Sequence, residues 1–188
     1  MILAFGVVAP ERRLDFLVDV ASEVARSHPD ACWVVLGPSI DGEDRRLRAH
    51  AAAAGISDRF LVRPAVARLD VPAYVAAATL TVAAIPDDPL FRMASPTKTA
   101  ESLAVATPVV GTPIPDQEAL LTRSGGGVVS PFEVDAFADA VRSLLDDPTA
   151  ARAMGVKGRD YVLATRSYDL LTDTVETRLR SVVDGDVD

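Results

Sequence analysis

Short apolar runs alternate along this chain with longer stretches whose apolar positions recur at helical spacing. Ile2–Val8 is β-rich, is punctuated by Gly6 and Pro10, and reads as a buried strand. Leu14, Leu17, Val18, Ala21, Val24 and Ala25 then repeat with helical period until Pro29 ends the pattern. Trp33–Leu36 reads as a second strand closed by Gly37-Pro38, and Glu43–Ala54 as a helix stopped by Gly55. Phe60–Val62 predicts a third strand, Val71–Ala78 a small helix and Leu80–Ile85 a fourth strand. The proline-rich stretch Pro86–Pro96 reads as loop, Thr97–Val105 as a helix, and Pro108–Val110 as a fifth strand ending at Gly111. Glu118–Leu121 predicts a short helix, and Gly125-Gly126-Gly127 leads into a sixth strand at Val128-Val129. The remainder reads as helical: Val134–Leu145, Thr149–Met154 and a long stretch from Gly158 to Val183, where Leu171, Val175, Leu179 and Val182 share one stripe.

Strand and helix that alternate in this way require parallel strands with helical crossovers. The expectation is an α/β fold, a Rossmann-like doubly wound parallel sheet of about six strands with helices on both faces. A length of 188 residues fits one domain, expected over 1–183, with 184–188 as a disordered tail. In such a sheet ligands bind at the carboxyl ends of the strands, where strand order reverses. That points to the loops around Gly6, Gly37, Pro86–Pro96, Gly111 and Gly125–Gly127.

Composition narrows the partners. A formal net charge of -8 disfavours nucleic acid and anionic membranes, both of which need a basic face. No apolar run is long enough to span a bilayer, and the opening lacks the basic start of a signal peptide, so the expected location is cytoplasmic. Cys32 is the single cysteine and excludes an intrachain disulfide; its apolar surroundings predict a buried, inert thiol. His28 and His50 lack metal spacing and read as surface residues, and no metal site is visible. The triple glycine is not a dinucleotide fingerprint and does not lie between the first strand and helix, which leaves an oxidoreductase poorly supported.

The chemistry-bearing segment is Ser95-Pro96-Thr97-Lys98-Thr99-Ala100-Glu101. Ser95 suits an N-cap and Pro96 the first helical position, so the free N–H groups of this helix would face the strand-tip cleft and suit a phosphate. Lys98 adds a positive charge, and Glu101, three residues on, could accept hydrogen bonds from a ribose diol. A capped surface helix with a Lys–Glu pair accounts for the same residues. Asp87-Asp88 reads as a polar strand-tip loop at the predicted cleft, and Glu118 stands either at the cleft edge or on a solvated helix end.

Taken in order, these segments resemble the C-terminal, nucleotide-sugar-binding domain of retaining GT-B glycosyltransferases, the glycosyl transferases group 1 family. Phe5-Gly6-Val7-Val8-Ala9-Pro10-Glu11-Arg12-Arg13-Leu14-Asp15 is similar to the family's G-R-x-x-x-E-K-G-x-D segment. His28-Pro29-Asp30-Ala31 followed by Trp33–Gly37 resembles H-P-D-x…V-G. Pro96–Glu101 with Ala104 and Pro108-Val109-Val110 resembles P-x-K-x-x-E-x-x-A-x-G-x-P-V-V. Gly125–Gly127, Phe137, Ala140, Leu144 and Asp147-Pro148 fit the closing pattern. The resemblance runs nearly end to end.

It implies a hexosyltransferase whose donor is a nucleoside diphosphate sugar, with no cofactor and no metal. Gly6, Arg12, Ser95, Pro96, Thr97, Lys98 and Glu101 would bind the donor, Glu101 taking the ribose and Arg12 with Lys98 the diphosphate. An N-terminal acceptor-binding domain, absent from these residues, would carry the acceptor contacts and the general base. The chain begins almost at its first strand, which is read as a domain cut from a longer protein and inactive alone. The sequence departs from the family pattern at informative positions. Val7 replaces the clamp arginine, Arg12 stands at the lysine position, and Arg13 replaces a glycine. Met93, eight residues before Glu101, replaces the first paired carboxylate, and Thr107 replaces the glycine before Pro108. Arg92 is the candidate to supply the missing charge. These departures leave a second reading, a non-catalytic GT-B-like binding or scaffold domain, and a third, an unrelated flavodoxin-like or regulatory α/β domain.

Overall fold

The computed structural model describes residues 1–184 and forms a six-stranded sheet in the order β3-β2-β1-β4-β5-β6, with every neighbouring pair parallel. The strands are β1 (Ile2–Phe5), β2 (Trp33–Leu36), β3 (Phe60–Arg63), β4 (Leu80–Ala83), β5 (Val109–Gly111) and β6 (Gly127–Val129). The helices are α1 (Asp15–Ala25), α2 (Glu43–Ala53), α3 (Val71–Ala77), α4 (Pro89–Arg92), α5 (Thr97–Ala104), α6 (Pro115–Ser124), α7 (Val134–Asp146), α8 (Pro148–Thr165) and α9 (Tyr168–Asp184). Strand order reverses between β1 and β4, where Ile2 lies beside Leu80 on one side and Trp33 on the other. The switch point expected from the alternation is therefore at the tip of β1.

Two apolar layers cover the sheet. On one face Phe16, Leu17 and Val24 of α1, Leu47 of α2, and Phe137, Val141 and Leu144 of α7 pack on Ile2, Ala4, Val35 and Val110. Phe16 stacks on Phe132 at 4.0 Å between centroids and meets Phe137 edge-on at 5.4 Å. On the other face Leu103 of α5, Leu120 and Leu121 of α6 and Val162 of α8 form one cluster, and Val75 of α3 joins Leu3, Val34 and Leu36 in another. Helix α8 lies so close to α5 that a Cβ on Gly155 would fall 2.0 Å from the Ala106 carbonyl oxygen, and one on Gly158 2.6 Å from a Leu103 methyl. Those two glycines therefore belong inside α8, because helix contact outweighs their low helix propensity.

The structure corrects several expected boundaries. Strand β1 ends at Phe5 because Gly6 turns at φ +124°, a left-handed value that favours glycine, and Val8 makes only an isolated bridge to Ser39. The Pro86–Pro96 segment contains α4, which starts at Pro89 and is capped by the Asp88 carboxylate accepting from the Leu90 N–H at 2.8 Å. Helix α6 is longer than the predicted Glu118–Leu121. The final helical stretch breaks at Arg166-Ser167 instead of near Gly158. Cys32 is half-buried rather than buried, packed beside the Leu3 and Val34 cluster. Of the tail expected over 184–188, Asp184 closes α9 and 185–188 lie outside the described residues. Among the described residues no helix is long and apolar enough to cross a membrane, and no three His, Cys, Asp or Glu side chains converge as a metal site.

Candidate functional site

The tips of β1 and β2 open into a cleft of about 550 Å³ lined by Gly6, Gly37, Pro38, Val66, Leu69 and Glu101, among others. Its floor exists because two backbones come unusually close: a Cβ on Gly37 would fall 1.7 Å from the Gly6 carbonyl oxygen. Only glycine fits there, so a ligand can reach the backbone of both strands. Glu101, on α5, presents an exposed carboxylate to this cleft.

Beside the cleft, at the β1–β4 switch point, a narrow recess is lined by Gly6, Arg12, Ala83, Ile85 and Lys98. Lys98 folds over Gly6, its Nζ 3.4 Å from where a Gly6 Cβ would be. The Arg12 guanidinium lies over the Phe91 ring at 4.9 Å, which ties its position to α4. Part of Lys98 stays accessible, yet its ammonium is enclosed by protein. That desolvation, then the neighbouring Arg12 charge, lowers its pKa to about 8, with Glu101 opposing the shift. Among the described residues neither Arg12 nor Lys98 forms an ion pair, whereas Arg92 is held bidentately by Asp87 at 2.8 and 2.9 Å. Two unpaired cations, one of them in the first turn of α5, thus line one recess, an arrangement that suits an anionic group.

Helix α5 starts one residue later than expected. Pro96 is the N-cap, extended at ψ 102°, and Thr97 is the first helical residue; no side chain caps the end. Ser95 does not cap because its hydroxyl donates to Asp116 Oδ2 at 2.8 Å instead. The N-terminal N–H groups that a Ser95 cap would have consumed therefore stay available. A buried polar network holds this helix in place: Thr99 donates to Gln117 Oε1 at 2.8 Å, and Gln117 Nε2 donates to the Ala83 and Thr112 carbonyls, each at 2.9 Å. Thr112 in turn bridges the Ile85 N–H and carbonyl at 2.9 and 2.7 Å. Every member is satisfied, so the β4 tip and the start of α5 form one rigid unit. The sequence singled out none of Thr99, Thr112 or Gln117. Thr99 and Gln117 lie in the first turns of α5 and α6, and Thr112 directly follows β5.

The cleft and recess gather Gly6, Arg12, Lys98 and Glu101, while Ser95, Pro96 and Thr97 stand at the entry to α5 and line neither. Gly125–Gly127 is not near the cleft: it opens β6, and in a parallel sheet that is the opposite edge. Gly111 does end a strand on the cleft side, but Gln117 and Leu121 cover it. Glu118 is exposed on α6 and lines neither space; Asp87 and Asp88 are spent on Arg92 and on the α4 cap. Arg92, the candidate to supply the missing charge, pairs with Asp87 at the surface and lines neither space. Met93 points into solvent with 92% of its surface exposed. His28 and His50 pair with separate carboxylates, Asp146 at 3.1 Å and Asp19 at 3.0 Å.

A family model described as glycosyl transferases group 1 matches residues 1–147. A GDP-mannose-dependent alpha-(1-6)-phosphatidylinositol monomannoside mannosyltransferase of Mycolicibacterium smegmatis is 27% identical over 182 residues, covering 87% of this chain and 43% of that protein. The chain thus spans less than half the length of the curated relatives it matches. Among solved structures, HepE of Anabaena in complex with UDP and glucose superposes with TM-score 0.83 at 16% identity, over 96% of this chain and 48% of that one. The C-terminal domain of a glycosyl transferase group 1 family protein from Francisella tularensis superposes with TM-score 0.73 at 16% identity, over 89% of this chain and 85% of that one.

Proposed function

The chain belongs to the glycosyl transferases group 1 family, and from that membership we propose that it is the donor-binding half of a hexosyltransferase that uses a nucleoside diphosphate sugar. The observation that carries this reading is the meeting of two unpaired cations, Arg12 and Lys98, with the uncapped start of α5 beside a cleft walled by Glu101. Glu101 accepts hydrogen bonds from the ribose hydroxyls. Arg12, the Lys98 ammonium and the Lys98 N–H group hold the diphosphate. As the bond from anomeric carbon to phosphate oxygen breaks, negative charge grows on the leaving diphosphate, and cations already in place stabilise it without reorganisation. With valine at position 7, Arg12 and Lys98 carry this task alone. We place the acceptor contacts and the general base outside these residues, since the chain spans less than half the length of its curated relatives, and expect donor binding without turnover from these residues alone. The mannosyltransferase relatives make GDP-mannose the first donor to try, and the UDP complex of HepE makes a UDP-sugar the second.

Calorimetric titration of the folded chain with GDP, UDP and ADP tests the reading. One nucleotide is expected to bind saturably, and Glu101→Ala to weaken it about tenfold to a hundredfold, the value of hydrogen bonds to a charged group. A folded sample that binds no nucleotide at millimolar concentration would overturn the proposal.

A further inference from the structure

The donor-binding reading assigns the ribose and the diphosphate but leaves one end of the cleft without an occupant. Apart from Glu101 and the exposed Arg68 the lining is largely apolar, with Leu36, Val66, Val71 and Val75. At its rim stand two large apolar side chains almost wholly uncovered, Leu69 with 92% of its surface exposed and Tyr168 with 82%. Leu69 comes from the short turn Arg68–Asp70 before α3, and Tyr168 is the first residue of α9. An exposed aromatic ring at the mouth of an apolar cleft is a platform for a flat ligand.

Tyr168 is also held in position. Two residues before it, Arg166 makes a bidentate pair with Asp116 at 2.7 and 3.0 Å. The same carboxylate accepts from Ser95 at the entry to α5. Arg166 holds the Asp116 carboxyl below the usual carboxylate range, so the pair persists across neutral pH. One carboxylate therefore ties the turn that carries Tyr168 to the segment that opens the site helix. Nothing in the ribose or diphosphate contacts uses this knot.

We propose, on the footing of the donor-binding reading, that Tyr168 closes the nucleobase end of the cleft by stacking its ring on the base of the nucleoside diphosphate. Leu69 covers the base from the opposite rim, and Arg166 is a positioning residue that acts through the turn it anchors. Stacking on an aromatic side chain tolerates every base, so Tyr168 adds affinity for nucleotides in general and leaves the choice of base to other contacts.

The test is binding of the nucleotide that the wild-type chain prefers among GDP, UDP and ADP. Tyr168→Ala is expected to weaken it about tenfold to a hundredfold, and Tyr168→Phe to restore it, since stacking needs the ring and not the hydroxyl. In Tyr168→Trp the new indole emission should be quenched as nucleotide saturates, against a constant signal from Trp33, which is buried in β2. Arg166→Gln should lose part of the same affinity, and its loss should not add to that of Tyr168→Ala. Wild-type affinity in Tyr168→Ala, alongside weakened binding in Glu101→Ala, would overturn this inference alone. Additive losses would overturn the positioning role of Arg166. Absence of nucleotide binding by the wild-type chain would overturn the donor reading and this inference with it.

Discussion

Helices α7 and α9 carry the same kind of apolar stripe and meet opposite fates. In α7, Phe137, Ala138, Ala140, Val141 and Leu144 are all buried. In α9, Leu171, Val175, Leu179 and Val182 recur just as regularly, yet none of the described residues of the helix is buried. The difference lies in what each helix meets. Only Ser130–Glu133 separate β6 from α7, so the helix must fold straight back onto the sheet. Helix α9 follows another helix after Arg166-Ser167, and no strand delivers it to a sheet face. Periodicity therefore announces an apolar stripe without telling what covers it: α8 also follows a helix, yet it buries Ala151, Gly155, Gly158 and Val162 against its neighbours.

The strongest way to break the comparison is to remove the residue at the centre of the covered stripe. Phe137 is fully buried and meets Phe16 edge-on. Phe137→Ala should cost about 3–5 kcal/mol, the range for an aromatic deletion in a packed core. Denaturant unfolding followed by circular dichroism reads this directly. A loss below about 1 kcal/mol would mean that the α7 face is no better packed than α9.

The cleft falls between the two extremes, because Lys98 is partly covered and carries a charge. Its native pKa of about 8 lies below the usual lysine value, so between about pH 8 and about pH 10 the unfolded chain binds more protons than the native one. Stability contributed by this group therefore rises with pH across that window. Affinity for a nucleoside diphosphate should move the other way: level below about pH 8, then falling by up to about tenfold per pH unit as the ammonium is lost. Titrations at about pH 7, 8 and 9 check the slope, and Lys98→Met should flatten it. A flat wild-type profile would place the Lys98 charge outside the donor site.

Legibility followed the same division between closed and open contacts. All six strands were readable because each is a short apolar run bounded by glycine, proline or polar residues. Lys98 and Glu101 were readable as candidates from helix position and family resemblance together, and Arg12 from the resemblance alone; the fold brings Arg12 and Lys98 to the recess at the β1–β4 tips and Glu101 to the adjoining cleft. The polar network of Thr99, Thr112 and Gln117 was not readable, since buried polar residues give no periodic signal and most of their bonds join residues 18 or more positions apart. Ser95 was read as a cap from its place before a proline, but Asp116 competes for its hydroxyl from 21 positions away. The glycine run 125–127 looked like a ligand loop only while its edge of the sheet was unknown. Tyr168 reaches the cleft through the helix break at Arg166-Ser167, eight residues beyond the Gly158 at which the periodicity starts the last helix.

The smallest effect sharpens the comparison from its other side. Leu179 keeps 61% of its surface exposed, so Leu179→Ser removes little burial and changes stability only through the lower helix propensity of serine. The expected loss is about 0.5 kcal/mol or less, a tenth of that for Phe137→Ala, and it should not depend on protein concentration. Concentration matters because a stripe buried against a second copy would behave as core only when copies meet. Melts of wild type and variant at two concentrations therefore separate the cases. A small, concentration-independent difference means that α9 stands on its own backbone hydrogen bonds and its Glu176–Arg180 pair. A loss that approaches the cost in α7 and grows with concentration would mean that the exposed stripe is a packed surface after all, covered by a second copy as α7 is covered by the sheet.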